Sequence, residues 1–292
     1  MKVSPEELET IIVQLKNENF IFISLDQLVD VLHSPQKKHQ KFIVITLDDG
    51  YRDNVEFAYP LFKKYDVPFC IYITNSFPNK TTNLWWYALE SLILQNDSLT
   101  TENKRRSNRS DEEKKKNFWE FRDNILNHHF YDPLKYFRSM GVLSFDLEEH
   151  IAEKCLTWDE IKNLSKDSLV TIGCHTVNHF PLSKLSLKEA EYEIIASKQE
   201  VEEHIGKKVR HFAFPFGTRK EAGIREYRLA EKAGFDTVTT TIHGHVSNND
   251  SAYSLKRIFL FPLANNNYTL KKLMFWNIRT YYYWFKKILR LD

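Results

Sequence analysis

Phe42-Ile43-Val44-Ile45-Thr46, running directly into Leu47-Asp48-Asp49-Gly50, is the stretch on which the reading of the fold turns. Five consecutive apolar or β-branched residues without period-2 alternation have the pattern of a strand buried on both faces, and Asp-Asp-Gly behind them reads as a turn. Similar runs recur at 68–74, 169–173, 209–214, 235–241 and 255–261, with a shorter one at 20–24. Helical patterns at 5–16, 25–32, 55–65, 187–205 and 224–233 separate most of them. Strands alternating with helices predict an α/β fold with a parallel sheet. This many strand–helix units favour a barrel over an open sheet, and no GxGxxG or P-loop marks a nucleotide-binding sheet.

Two regions depart from the alternation. Between 79 and 154 lie Trp85-Trp86-Tyr87, a polar run over 100–116 and an amphipathic segment over 118–129. This stretch reads as a helical insertion on the barrel, with the polar run as a mobile, solvated loop. Trp85 and Trp86 are either a sugar platform or core of the insertion. The barrel with its insertion is expected to occupy 1–268. The remaining 269–292 forms an aromatic and basic C-terminal helix whose cations are Lys271, Lys272, Arg279, Lys286, Lys287 and Arg290. Trp and Tyr beside Lys and Arg suit an interfacial membrane helix over 270–292; a helix packed on the barrel or a partner chain is the alternative.

The 292 residues carry 41 Lys and Arg against 39 Asp and Glu, a net charge of +2, which argues against a nucleic-acid partner. Cys70, Cys155 and Cys174 form no CxxC and suit a reducing compartment. The opening residues MKVSPEELETIIVQLKNENF lack the apolar core of a signal peptide, so a cytoplasmic protein is expected, peripheral to the inner membrane face if the tail binds there.

Asp48 and Asp49 stand immediately after a buried strand, at what would be the active-site face of a barrel. Adjacent carboxylates repel unless a cation or distinct roles separate them. His175-Thr176-Val177-Asn178-His179 follows another buried strand, and histidines four apart fit one face of a helical turn and one ion. One Asp and two His leave coordination positions open for water, which suits Zn²⁺ in a hydrolytic site and also Co²⁺, Ni²⁺, Fe²⁺ or Mn²⁺. Cys174 reads as core packing, and His128, His129 and His211 as structural.

On these motifs the chain resembles the NodB-type polysaccharide deacetylases, carbohydrate esterase family 4, whose fold is a distorted (β/α)₇ barrel. Thr46 to Gly50, TLDDG, is similar to the family's T-F-D-D-G. His175 to His179, HTVNH, matches H-[ST]-x-x-H in full. Ala213-Phe214-Pro215-Phe216 matches R-x-P-[YF] in part, with Ala213 where the Arg belongs. The resemblance implies an acetylated saccharide substrate and one divalent metal on Asp49, His175 and His179. It implies Asp48 as general base, the Phe216 backbone N–H as oxyanion donor, and Pro215 and Phe216 as substrate contacts. Arg257 is the candidate to orient Asp48 in place of the missing Arg. The family's L-x-I-H has no match, so His245 is the candidate acid, with an exposed loop pair of His243 and His245 as the alternative. Trp158 either lines the pocket rim or packs a helix. The expected reaction is removal of N-acetyl groups from a polysaccharide or a lipid-linked precursor. O-acetyl ester hydrolysis, or carbohydrate binding by a weakly catalytic relative, are the alternatives.

Overall fold

The computed structural model describes residues 3–33, 40–101, 104–139, 146–247 and 249–260. The chain opens with α1 (Pro5–Asn17), capped by Ser4 and Glu7 in a reciprocal box, then β1 (Phe20–Phe22) and α2 (Leu25–His33). The predicted strand over 42–46 is broken at Val44 into β2 (Lys41–Ile43) and β3 (Ile45–Leu47), and α3 (Tyr59–Lys64) and β4 (Phe69–Ile73) follow. The insertion supplies α4 (Trp85–Gln95), β5 (Ser98–Thr101), β6 (Lys104–Ser107), α5 (Asp111–Asn124), α6 (Pro133–Ser139) and α7 (Leu147–Lys154). The barrel resumes with α8 (Trp158–Leu164), β7 (Val170–Cys174), α9 (Leu187–Ile205), β8 (His211–Ala213), α10 (Ile224–Lys232), β9 (Thr237–His243) and β10 (Leu255–Arg257).

β1 pairs with β2, and six parallel strands lie in the order β10-β9-β8-β7-β4-β3. Because β2 and β3 are one segment interrupted at Val44, the sheet curls through seven strand positions, as a distorted (β/α) barrel does. Its open seam is bridged at two points. Arg257 at the end of β10 reaches Asp48 at the end of β3, and Leu260 packs with Ile11, Leu15, Phe20, Phe22 and Ile43 around β1.

Alternation along β4 explains both layers, because successive side chains of a strand face opposite sides. Phe69, Ile71 and Ile73 join the large cluster under the helices, with Ile172, Phe212, Val238 and Ile194. Cys70 and Tyr72 face the barrel interior with Ala213 and Leu25. Cys174 is buried in the outer cluster and Cys155 under the insertion, and no described cysteine is paired.

The insertion packs on its own core of Trp85, Leu89, Leu92, Phe121, Ile125 and Phe137. Its polar run is not the mobile loop expected over 100–116. β5 and β6 pair as an antiparallel hairpin, and Ser110 caps α5 through a box with Glu113. Asn108, between β6 and α5, donates to the carbonyls of Ile93 and Asn96 at the end of α4 while fully buried. Polar side chains satisfied in this way give no hydrophobic period, so sequence pattern missed this ordering. The expected C-terminal helix over 269–292, with its membrane-facing residues, lies outside the described residues. No described helix is long and apolar enough to cross a membrane.

Candidate active site

The two motifs meet at the C-terminal ends of β3 and β7. Asp49, just past β3, sits in a three-residue turn closed by Gly50 N–H donating to the Asp48 carbonyl at 3.0 Å, with φ of 75° at Asp49. Gly50 continues at φ 93°, which a side chain rarely adopts. The Phe216 turn repeats the device: Gly217 N–H donates to the Pro215 carbonyl at 2.6 Å, with φ of 59° at Phe216. A Cβ on Gly217 would stand 2.8 Å from the Thr241 amide nitrogen, so the backbones there approach too closely for a side chain. Of eight described non-glycine residues with positive φ, four are Asp49, Thr176, His179 and Phe216. Each such residue costs about 1–3 kcal/mol, so half of the strained positions are concentrated at one place.

His175 and His179 are not on a helical turn. They lie on an irregular loop that follows β7, with Thr176 at φ 67° and His179 at φ 59°. The reversal brings both rings to Asp49: its Oδ1 is 3.4 Å from His175 Nε2 and 3.2 Å from His179 Nε2, and one donor atom from each residue falls within 4.8 Å of the others. His175 is buried, and burial lowers its pKa against the opposing pull of Asp48 and Asp49, so the ring is neutral at pH 7. Its Nδ1 sits 2.7 Å from the Ala213 carbonyl and must donate there, which leaves the Nε2 lone pair facing Asp49. Asp49 Oδ1 is buried and accepts no hydrogen bond. A lone pair held against an unsatisfied carboxylate oxygen is repulsive, and a cation between them removes the repulsion. The donor set therefore fits a divalent ion with nitrogen and oxygen ligands.

Asp48 faces the other way from its neighbour. Burial pushes its carboxyl up, but the Arg257 guanidinium, with His175 and His179, outweighs this and holds it at about 2. Arg257 Nη1 donates to Asp48 Oδ1 at 2.7 Å, and its Nε donates to the Thr240 carbonyl at 2.9 Å. Ala213, where the resemblance implied an Arg, points into the cluster filled by Tyr72. The cation beside Asp48 thus enters from β10 rather than β8.

Phe216 places its ring 4.8 Å from that of His179, and its backbone N–H makes no hydrogen bond among the described residues. Pro215 is buried next to it. His245 is exposed two residues past β9 and makes no contact with Asp48 or Asp49. His243, two residues before it at the end of β9, pairs in register with Arg257. Trp158 stacks on His204 at 3.9 Å and donates to Asn79, so it touches none of the ligand candidates.

Several neighbours were not singled out from sequence as site residues. Tyr51 receives a hydrogen bond from Trp86 Nε1 at 2.7 Å, and its phenol is pushed up by burial and by the charge of Asp49. Trp86, read only as platform or core, lies 5.5 Å from the His179 ring. Arg122 of the insertion stands 5.5 Å from the Phe216 ring and 5.3 Å from that of Trp119. The GYRDN run held the signal for Tyr51; Arg122 sits in an ordinary helical pattern that carries none.

Comparison with known proteins follows the same residues. The chain is 20% identical over 262 residues to YxkH of Bacillus subtilis (strain 168), whose name places it among the polysaccharide deacetylases; the match covers 90% of this chain and 67% of that protein. The deacetylase PplD of Streptococcus pyogenes, solved with acetate, superposes with a TM-score of 0.61 at 18% identity, covering 93% of this chain and 86% of PplD. A de-N-acetylase from Aggregatibacter actinomycetemcomitans gives 0.58 at 16% identity, with coverages of 92% and 88%. At these identities the structures establish the shared fold. The family model described as polysaccharide deacetylase matches residues 35–238, a span that holds Asp48, Asp49, His175, His179 and Phe216. With the matching span covering more than half of the chain and carrying the Asp49, His175 and His179 cluster, the chain belongs to the polysaccharide deacetylase family.

Proposed function

We propose that this protein hydrolyses N-acetyl groups on the sugars of a polysaccharide or of its lipid-linked precursor, with a divalent ion on Asp49, His175 and His179. The observation that carries this reading is the convergence of His175 Nε2 and His179 Nε2 on a buried, unsatisfied Asp49 oxygen, beside an Asp48 kept ionised by Arg257. Zn²⁺ fits the donor chemistry best, and when bound it would supply the Lewis acidity that makes water nucleophilic near neutral pH and polarises the acetyl carbonyl.

The chain's own residues account for the rest. Asp48 is the general base: Arg257 engages its Oδ1, and Oδ2 is left to accept the proton of the attacking water. Arg257 holds that carboxylate in place across the barrel seam. The Phe216 N–H, on a strained turn, donates to the oxyanion as charge develops on the acetyl oxygen. The Phe216 ring and Trp86 flank His179 and exclude water from one side of the acetamide.

One observation favours a second reading. An N-acetyl substrate needs a proton delivered to its departing amine, and His245, the candidate acid, is not in contact with the site. An O-acetyl ester releases a sugar alkoxide, a better leaving group than an amine anion, and needs less help from an acid. Acetate release should be compared on N-acetylglucosamine oligomers and on O-acetylated sugars, with added Zn²⁺ or Co²⁺, for wild type and Asp48→Asn. The expected result is release from the N-acetyl oligomers, lowered about 10²–10⁴-fold by Asp48→Asn. Release confined to the O-acetyl sugars would replace the first reading by the second. Silence on both would leave a carbohydrate-binding protein.

A further inference from the structure

Glu193 is a buried carboxylate on α9, 3% exposed, that the proposed chemistry does not use. Its Oε2 accepts the backbone N–H groups of Val177 at 3.0 Å and Asn178 at 2.8 Å, and its Oε1 accepts Asn178 Nδ2 at 2.6 Å. Successive backbone N–H groups converging on one oxygen form an anion-binding nest, and here the anion is the protein's own. The loop so held carries left-handed backbone at both Thr176 and His179. Residues other than glycine keep such angles only where the surroundings over-determine them.

The two histidines of this loop are anchored differently. His175 continues β7, with its N–H on the Ile73 carbonyl at 2.7 Å and its ring fixed by the Ala213 carbonyl. His179 has no such ring anchor: its Nδ1 is buried without a hydrogen-bond partner. Its placement rests on backbone, through its N–H on Thr176 Oγ1 at 3.0 Å and the preceding residues on Glu193. The loop's other side is tied to the segment after β4, where Asn75 and Ser76 donate to the carbonyls of Thr176 and Val177. Glu200, two helical turns along α9, holds that segment in turn, accepting Asn75 Nδ2 at 2.6 Å and Asn79 Nδ2 at 2.8 Å.

We propose that Glu193 is the positioning residue of the histidine loop: its carboxylate clamps Val177 and Asn178, and so presents His179 Nε2 to Asp49 before any ion binds. As a statement about ion binding it rests on the metal reading above. As a statement about the loop it does not.

The test compares Glu193→Gln and Glu193→Ala with wild type, using the full metal-free chain. Glu226→Gln is the control, since Glu226 is an equally buried carboxylate that caps α10 through the Gly223 N–H at 2.8 Å, away from the site. Two quantities are read: hydrogen exchange of the Val177 and Asn178 amides, and Zn²⁺ affinity by competition with a chelator. In Glu193→Ala both amides should exchange at least about 10-fold faster. Zn²⁺ should bind about 10- to 100-fold more weakly, the loss typical of an outer-shell partner, with Glu193→Gln between it and wild type. Glu226→Gln should lower the melting temperature while moving neither readout. Glu193 variants whose amides and Zn²⁺ affinity match wild type would overturn the proposal, as would an equal loss of affinity in Glu226→Gln. Should wild type bind no Zn²⁺, the metal reading fails, and amide exchange alone decides whether Glu193 clamps the loop.

Discussion

The strand ends of the barrel and the 79–154 insertion both border the Asp49–His175–His179 cluster, and they do so by opposite means. The strand ends present short polar groups from backbone that neighbouring strands and loops pin in strained conformations, as at Asp49, His179 and Phe216. The insertion packs on a core of its own and offers broad faces, the indole of Trp86 and the guanidinium of Arg122. Phe216 is the seam, touching His179 on one side and the insertion's core on the other. The polar groups of the cluster sit on over-determined backbone, and the broad faces beside them sit on a separately packed wall.

Arg257 provides the severest way to break this contrast, because it closes the barrel seam as well as holding Asp48. Arg257→Met leaves Asp48 without its main counter-charge in a pair only 13% and 28% exposed. The expected cost is about 3 kcal/mol of stability by chemical denaturation. A misplaced base should also lower kcat by about 100-fold. The sign with pH follows from Asp48, whose pKa falls from about 3.9 in the unfolded chain to about 2 in the fold. The stability it contributes is complete above the unfolded value and is lost as pH falls through about 2. The gap between wild type and Arg257→Met should therefore be widest near neutrality and shrink towards pH 2. A gap independent of pH would separate Arg257 from Asp48.

Arg122 sharpens the contrast from the other side. Its guanidinium lies over the Phe216 and Trp119 rings and touches neither Asp48 nor the ligand cluster. Arg122→Ala should raise KM about 5-fold, roughly 1 kcal/mol, with kcat within about twofold of wild type. A fall in kcat at constant KM would place the insertion in the chemistry and erase the division drawn above.

The barrel side of this division was largely legible in the sequence and the insertion side was not, for physical reasons. Strands buried on both faces print continuous apolar runs, and a ligand set just past such runs stands out even where Val44 interrupts the strand. The left-handed loop at Thr176 was not legible, because histidines four apart read equally well as a helical turn. Ala213 announced a missing cation, and Arg257, the candidate named from sequence to replace it, does stand 2.7 Å from Asp48. The paired strands β5 and β6 were hidden because Asn108, just past β6, ties their base to the end of α4 with polar contacts that leave no hydrophobic period. Glu193 looked like any charged residue on a solvated helix face.

The most direct test of the site is a calorimetric titration of the metal-free protein with Zn²⁺, run beside Asp49→Ala and Arg122→Ala. Wild type and Arg122→Ala should each take up a single ion per chain with the same affinity. Asp49→Ala should bind far more weakly, by more than the about 100-fold that outer-shell losses produce. Binding in Asp49→Ala equal to wild type would contradict the assignment of Asp49, His175 and His179 as the metal site.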